Sequence, residues 1–377
     1  MITRRNRLMA TLRGEQVDRP AVSFYEIGGY KCDPDDPNKY NIYNADSWRP
    51  LIQLAEEKTD VIRCVWPQSD NSEEFSHFFK VETWEEKNSC FTKTTLTVSD
   101  RQMTSLTRRD AEINTVWTLE HLLKSVDDLK AYLRVPQRAF ECKWNCCHLP
   151  SVEQELSDRG IVMIDIADPL CLAAELFSMG DFTIIAMTES ELFLQLLGRF
   201  AATIYPNIQK IAEGYPGRLW RIYGAEYACE PYLPPRLFEE YVVRYTGPIV
   251  KMIQRDGGYA RIHCHGRIKN VLPHIAGMGV DGLDPVEPPL QGDTELCEVH
   301  KEYGEKMVLF GNLEIADIEN LTPSKFEQKV VQSLREGTDD KGRGFVLMPS
   351  ASPYGRTITA NTMTNYETMV RLAENWA

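Results

Sequence analysis

Short apolar segments alternate with helical segments along most of this 377-residue sequence, and this alternation limits the possible folds more than any other feature. Eight candidate strands are found at 21–27, 60–66, 161–166, 219–224, 259–263, 282–285, 307–311 and 344–348. Helical spacing is found at 3–13, 48–57, 189–213, 235–255, 268–278, 293–303 and 323–335. Such alternation predicts right-handed crossovers and a parallel sheet. Without a dinucleotide-binding glycine motif, eight strands predict a single α/β domain over 1–377, closed as a (β/α)8 barrel.

One stretch interrupts this alternation. Residues 77–117 contain alternating segments at 79–83 and 90–98 that lack helical spacing. We therefore expect an antiparallel β insertion in the barrel. Helical spacing of leucines returns over 118–133, and Pro136 ends the predicted helix.

Composition and charge restrict the class of protein. The chain is 43% hydrophobic and 26% charged, as in ordinary globular proteins, and its formal charge of −13 disfavours a nucleic-acid partner. Arg4, Arg5 and Arg7 are not followed by the apolar run of a signal peptide. No segment has the roughly 18 apolar residues that span a bilayer. We expect a soluble, cytoplasmic protein without a membrane partner.

The ten cysteines are spread along the chain, which favours reduced thiols over a disulfide framework. The local cluster of Cys142, Cys146, Cys147 and His148 contains soft metal ligands. It lacks a CxxC pair and a matching second half, so we do not expect a metal there.

Polar side chains stand at or just after the ends of most predicted strands, where barrel enzymes hold their active sites. They are Glu26, Asp165, Asp168, Glu226, His263, His265, Asp284, Asn312, Glu314, Ser350 and Ser352. This ring predicts an active site at the carboxyl ends of the strands.

The segment YARIHCHG (259–266) contains the most specific pattern. The period of two in a strand places His263 and His265 on one side, where two imidazoles can bind a single cation such as zinc. The alternative is two histidines that only line a polar pocket. A catalytic zinc usually has three protein ligands, and the third is open.

Glu226 is the favoured third ligand because it follows the neighbouring strand. Cys229, Glu230 and Glu240 are weaker alternatives. Glu226 is also suited to orient a substrate hydroxyl or a histidine.

Several segments together resemble the uroporphyrinogen decarboxylase superfamily along nearly the whole chain. They are RLMATLRGEQVDRP (7–20), YGAEY (223–227), HCHG (263–266), MGVDGLDPVEP (278–288), LFGNLE (309–314) and GFVLMPSASP (344–353). The resemblance implies a (β/α)8 barrel and a homodimer. The superfamily contains heme-pathway decarboxylases and zinc-dependent methyltransferases that work with a corrinoid.

The sequence departs from the decarboxylases of that superfamily. Their first strand is followed by a segment like RQAGR, whose arginines hold the carboxylates of the porphyrinogen. Here Glu26 and Tyr30 stand at those positions, and Val65, Trp66 and Pro67 replace an expected acidic residue after the second strand. A carboxylate would repel an octa-acid substrate, so decarboxylation is disfavoured.

The resemblance is closer to the methyltransferase branch, which carries a His-x-Cys pair on the fifth strand and a second cysteine after the eighth. His263 matches that histidine, His265 replaces the first cysteine, and Ser350 and Ser352 lie in the loop that lacks the second. Methyltransferases that demethylate ethers use carboxylate and histidine ligands instead, which favours Glu226.

We therefore expect an O-demethylase type of methyltransferase that moves a methyl group between a small methoxylated substrate and a corrinoid protein. Zinc on His263, His265 and Glu226 would be the Lewis acid. A histidine–carboxylate set favours oxygen over thiol substrates. The alternatives are a decarboxylase-like lyase, a metal-dependent hydrolase or lyase with Asp165 or Asp284 as base, and a binding protein without activity.

Roles for the remaining residues follow from their positions. Tyr25, Tyr30, Trp66 and Tyr227 are candidates for stacking on substrate, with Glu26 beside them; ordinary packing is the alternative. We expect Asn312, after the close approach that Gly311 permits, to bind substrate or to fix its loop. We expect Asp284 to orient His263 or His265.

Overall fold

Eight parallel strands form the centre of the protein in a computed structural model, which describes residues 2–339 and 342–376. The strands are β1 (Ala21–Val22), β2 (Val61–Val65), β3 (Gly160–Ala167), β4 (Leu219–Tyr223), β5 (Tyr259–His263), β6 (Gly282–Asp284), β7 (Val308–Leu313) and β8 (Phe345–Pro349). Hydrogen bonds join them in the order β1-β8-β7-β6-β5-β4-β3-β2. The predicted barrel is therefore confirmed, and it is nearly closed, with its seam between β1 and β2.

The strands are buried on both faces, as expected for a parallel sheet covered by helices. In β3, Ile161 and Met163 belong to the cluster that fills the barrel interior. Ile164 and Ile166 alternate with them and pack into the larger core under the helices. The period of two therefore separates an inner core from an outer one.

Helices cover the outside of the barrel. Those of six or more residues in the described chain are Arg4–Arg13, Arg49–Lys58, Val126–Arg134, Leu149–Leu156, Pro169–Ala174, Met179–Thr188, Ser190–Gly214, Arg244–Arg255, Leu272–Gly277, Leu296–Tyr303, Ile315–Asn320, Pro323–Thr338 and Ala360–Glu374. The predicted segments 3–13, 48–57, 189–213 and 323–335 agree with helices in this set. The helices Leu149–Leu156 and Ala360–Glu374 were not predicted. No helix among the described residues is long and apolar enough to cross a membrane.

The predicted insertion is a separate four-stranded antiparallel sheet. Its strands are Phe79–Glu86, Ser89–Val98, Arg101–Asp110 and Val116–Glu120. The backbone N–H of Asn114 donates to the carbonyl of Tyr354 at 2.8 Å, which places the sheet beside the loop after β8. A second small sheet pairs Gln68–Asn71 with Cys142–Asn145.

Two predicted boundaries are wrong. The segment 118–133 is not one helix, because Val116–Glu120 pairs as a strand and Ser125 caps a helix that begins at Val126. Pairing with a neighbouring strand overrides the helical spacing of the leucines there. The first strand ends at Val22 rather than at 27, and Glu26–Gly29 forms a short helical turn.

Candidate active site

Two histidines at the end of β5 form the centre of the site. The rings of His263 and His265 lie 4.5 Å apart between centroids, edge to face. Nδ1 of His263 is 2.6 Å from an oxygen of Asp284, and Nδ1 of His265 is 2.8 Å from an oxygen of Glu287. A carboxylate only accepts, so each Nδ1 carries a hydrogen, and in its neutral form each ring would keep a lone pair on Nε2.

Asp284 joins His263 to a second buried group. Arg261 donates from Nε to the other oxygen of Asp284, and the side chains of this pair are 1% and 0% exposed. Burial alone would raise the pKa of Asp284, but Arg261 and His263 outweigh it and hold the pKa well below its usual range. The expected contact between Asp284 and one of the histidines is thus present, and Asp284 is an ion-paired carboxylate rather than a free base.

Glu287 is the carboxylate partner of His265, as Asp284 is of His263. Its second oxygen accepts the backbone N–H of Gly266 at 2.7 Å, which fixes the carboxylate on the loop. Burial by itself would lower the pKa of His265, but the hydrogen bond and charge of Glu287 raise it.

A second buried ion pair lies on the neighbouring strands. Arg221 on β4 donates from Nε and Nη2 to both oxygens of Asp165 on β3, at 2.8 and 2.6 Å. Its remaining nitrogen donates to the hydroxyl of Tyr25. The ring of Tyr25 stacks on His263 with centroids 6.2 Å apart, so both ion pairs border the same mouth.

Glu226 is near the histidines without completing a ligand set. It lies in the short turn after β4, where Oε2 accepts the backbone N–H of Gly224 at 3.0 Å. Its charge contributes to the raised pKa of His265. Within residues 2–339 and 342–376, no group of three His, Cys, Asp or Glu side chains is arranged to hold a metal ion.

The alternative third ligands are engaged elsewhere. Sγ of Cys229 is 3.4 Å from Sγ of Cys264, and both thiols are buried. Glu230 accepts a hydrogen bond from Asn270 at 2.7 Å, and Glu240 is exposed. A metal on His263 and His265, with Glu226 or one of these residues as third ligand, therefore stays a prediction.

Several carboxyl groups around the mouth have raised pKa values. Burial raises the pKa of Glu26. Burial also raises the pKa of Asp168 to about 7, with help from the charge of Glu226, and the pKa of Glu314 to about 7, with help from Glu287. Because burial is the main cause of each shift, these carboxyl groups hold a proton to higher pH than exposed ones do.

The residues predicted to bind substrate lie in two groups. The hydroxyl of Tyr30 donates to Glu26 at 3.1 Å, and the rings of Tyr30 and Trp66 are 4.9 Å apart, with Trp66 43% exposed. Tyr227 follows β4 and packs edge to face on Phe182. The structure therefore joins Glu26, Tyr30 and Trp66, and their contact with a substrate stays a prediction.

The side chain of Asn312 contacts a helix on the outside of the barrel. Its side-chain oxygen accepts a hydrogen bond from Ser333 at 2.8 Å, on the helix Pro323–Thr338 outside the barrel. A Cβ on the preceding Gly311 would lie 2.0 Å from the carbonyl oxygen of Pro285, so the predicted close approach is real. The contact with Ser333 matches the loop-fixing role, and substrate binding by Asn312 stays a prediction.

The cysteine cluster does not converge. Cys146 is buried, Cys147 is exposed, and Cys142 lies in the small sheet with Gln68–Asn71.

Three residues with clear positions in the site were missed: Arg221, Arg261 and Glu287. A signal for the arginines was present, since each stands in the middle of an apolar strand. In the barrel Arg221 lies directly between Arg261 and Asp165 in register. Glu287 had no such signal, because it lies in a loop.

These features define a (β/α)8-barrel protein with a histidine–carboxylate site at the carboxyl ends of its strands. The family model described as uroporphyrinogen decarboxylase matches residues 118–376, and the chain belongs to this family. The resemblance found in the sequence is thereby confirmed. No curated protein matches the chain in sequence.

Solved structures match the protein as well, one of them over its whole length. A methyltransferase from Methanosarcina mazei is 14% identical, with a TM-score of 0.60, and the match covers 100% of this chain and 99% of that one. At this identity the match shows a shared fold. An endo-fucoidan hydrolase of glycoside hydrolase family 107 matches 59% of this chain and 40% of its own, at 9% identity, but its TM-score of 0.32 supports no argument.

Proposed function

We propose that this protein transfers a methyl group between a small methoxylated substrate and the cobalt of a corrinoid that a partner protein carries. We further propose that zinc binds to His263, His265 and Glu226. The observation that carries the proposal is the pair of histidines whose Nδ1 atoms are both held by carboxylates. Metal-binding histidines in proteins almost always have such a partner.

The donor atoms fit zinc in type. Imidazole nitrogens and a carboxylate are ligands that zinc takes in proteins. When bound, zinc would act as a Lewis acid on the oxygen that carries the methyl group. The remaining ligand would come from Glu226, at the end of the strand beside β5.

The side chains of this protein have separate tasks around that centre. Asp284 and Glu287 keep the hydrogens on Nδ1 and fix the ring orientations. Tyr30 and Trp66 offer an aromatic surface at one side of the mouth for a methoxylated ring. The fold shared with the Methanosarcina mazei methyltransferase supports the same reaction class.

The alternatives fit less well. A decarboxylase of this family would bind an octa-acid, and a carboxylate at Glu26, in the turn after β1, would repel it. A hydrolase would use Asp165 or Asp284 as base, but both are committed to buried arginines.

Zinc content and methyl transfer test the proposal. Purified protein should contain about one equivalent of zinc by the proposed site, and His263→Ala and His265→Ala should lose it. The same variants should no longer form methylcobalamin from cob(I)alamin and 4-methoxybenzoate, followed by absorbance. His148→Ala, in the cysteine cluster, is the matched control and should keep both zinc and turnover.

A zinc content below about 0.1 equivalent that does not rise on adding zinc would remove the metal from the proposal. Unchanged turnover in His263→Ala would reject the role of the histidines. A small corrinoid protein that accepts the methyl group from 4-methoxybenzoate in place of free cob(I)alamin would identify the partner class. The homodimer implied by the family is checked by light scattering.

A further inference from the structure

Tyr25 has a backbone conformation that residues other than glycine rarely adopt. Its φ is 57° and its ψ is −115°, at the point where the chain leaves β1 and enters the turn Glu26–Gly29. A bulky residue with positive φ is an outlier and is retained only where surrounding contacts hold it. Such conformations cluster at functional sites.

The hydroxyl of Tyr25 is held in one position by a rigid chain of groups. Arg221 donates to the phenolic oxygen, and Asp165 binds the other side of that guanidinium through both oxygens. Arg221 and Asp165 are 5% and 2% exposed, so neither has room to turn. Because the phenolic oxygen already accepts from Arg221, its hydrogen is available to a third group.

The ring of Tyr25 also lies beside the histidine pair. The ring lies nearly parallel to that of His263, with an angle of 18° between the planes. The phenol and the imidazole therefore border one space in the mouth of the barrel.

We propose that Tyr25 is a catalytic hydrogen-bond donor to the substrate oxygen that loses its methyl group, with Arg221 and Asp165 as positioning residues. The inference rests on the proposed methyl transfer. In that step the carbon–oxygen bond breaks and its electron pair stays on oxygen. The methyl group passes to the reduced cobalt of the partner, which supplies the pair for the new bond. The Tyr25 hydroxyl would stabilise the oxygen anion, as donors aimed at a developing charge do.

Tyr25→Phe tests this role, because it keeps the ring beside His263 and removes only the hydroxyl. The first measurement is the equilibrium binding of 4-nitrophenolate, the anion expected from 4-nitroanisole, followed by its absorbance at equal zinc content. We expect the variant to bind it at least about 10-fold more weakly, the scale of a hydrogen bond to a charged group. Tyr205→Phe removes a hydroxyl that donates to the carbonyl of Tyr245, outside the mouth, and should bind as the wild type does.

The second measurement is the rate of methyl transfer to cob(I)alamin from 4-nitroanisole and from 4-methoxybenzoate. Loss of one donor to an oxygen anion typically costs about 10²- to 10³-fold in rate. The rate loss should be larger for 4-methoxybenzoate, the methyl donor with the more basic leaving oxygen. A purely structural role of Tyr25 would not produce this difference between the two methyl donors. If Tyr25→Phe does not fold, Arg221→Lys loosens the hydroxyl and should weaken 4-nitrophenolate binding as well.

The outcomes separate the two proposals. Equal affinity of wild type and Tyr25→Phe for 4-nitrophenolate, or no binding by the wild type, overturns the role of Tyr25 even if methyl transfer occurs. Weaker binding in Tyr25→Phe without methyl transfer by the wild type supports the donor and rejects the reaction. Equal rate losses of Tyr25→Phe for both methyl donors would also reject the role of Tyr25.

Discussion

Replacing Asp284 with Asn removes the carboxylate that connects Arg261 to His263 while keeping the size of the side chain. The side chains of Arg261 and Asp284 are 1% and 0% exposed, so the arginine would remain buried without its counter-charge. Breaking a buried ion pair in this way costs about 3–5 kcal/mol. Asparagine still accepts one hydrogen bond, so we expect about 3 kcal/mol less free energy of unfolding, measured by urea denaturation.

The same change alters the histidine. An amide can donate to Nδ1 of His263 as well as accept from it, so the tautomer with a lone pair on Nε2 is no longer enforced. Loss of such a partner typically lowers metal affinity about 10- to 100-fold. Competition with a chromogenic zinc chelator would measure this loss.

Asp165→Asn is the matched control, because it breaks the equivalent pair with Arg221, whose side chains are 6% and 2% exposed. It should lose a similar free energy of unfolding and keep its zinc affinity. Equal zinc affinities of Asp284→Asn and wild type, or an equal fall in Asp165→Asn, would refute the reasoning.

The pH of the comparison matters. The folded pKa of Asp284 is lower than its unfolded value, so its stabilisation is present above about pH 4 and lost as the pH falls further. Measurements at pH 7 therefore detect the whole effect of the substitution.

Three further changes have expected outcomes. The pKa of Asp168 is raised to about 7, so the free energy of unfolding of the wild type should fall by on the order of 4 kcal/mol as the pH rises from 4 to 7. Asp168→Asn should show a smaller fall in urea denaturation over this pH range, and an equal fall would contradict the prediction. Gly311→Ala should lower the free energy of unfolding by several kcal/mol, on the order of 3 or more, because its Cβ would meet a backbone oxygen at 2.0 Å. The matched control is Gly198→Ala in the helix Ser190–Gly214, where an added Cβ would have no neighbouring atom within 4 Å. It should raise the free energy of unfolding by about 0.5–1 kcal/mol. A Gly311→Ala protein more stable than Gly198→Ala would reject the clash. Glu287→Gln should lower the pKa of His265 in NMR titration of metal-free protein, and an unchanged pKa would show that Glu287 does not hold the ring.

The local pattern of residues was enough to predict the barrel. Strand and helix periodicities depend on neighbours within a few positions, so they can be read without knowing the fold. A predicted place for the site also followed, because strand ends are visible in the sequence and meet at one mouth once the sheet is parallel. The period of two placed His263 and His265 together correctly.

Local patterns failed where distant segments compete. The leucines of 118–133 have helical spacing, but Val116–Glu120 pairs with Arg101–Asp110 as a strand. The close approach at Gly311 was predicted, yet the direction of Asn312 was not, because Ser333 on a separate helix holds it.

The sequence by itself determined the fold class, the family resemblance and the histidine pair. Only the tertiary structure decided which carboxylate holds each histidine, that Arg221 joins Asp165 to Tyr25, and that no third metal ligand is assembled among the described residues. Asp165 and Arg221 are 56 residues apart, and Tyr25 and Arg221 are 196 apart. Contacts at such separations depend on strand register and on closure of the barrel, which no local pattern contains.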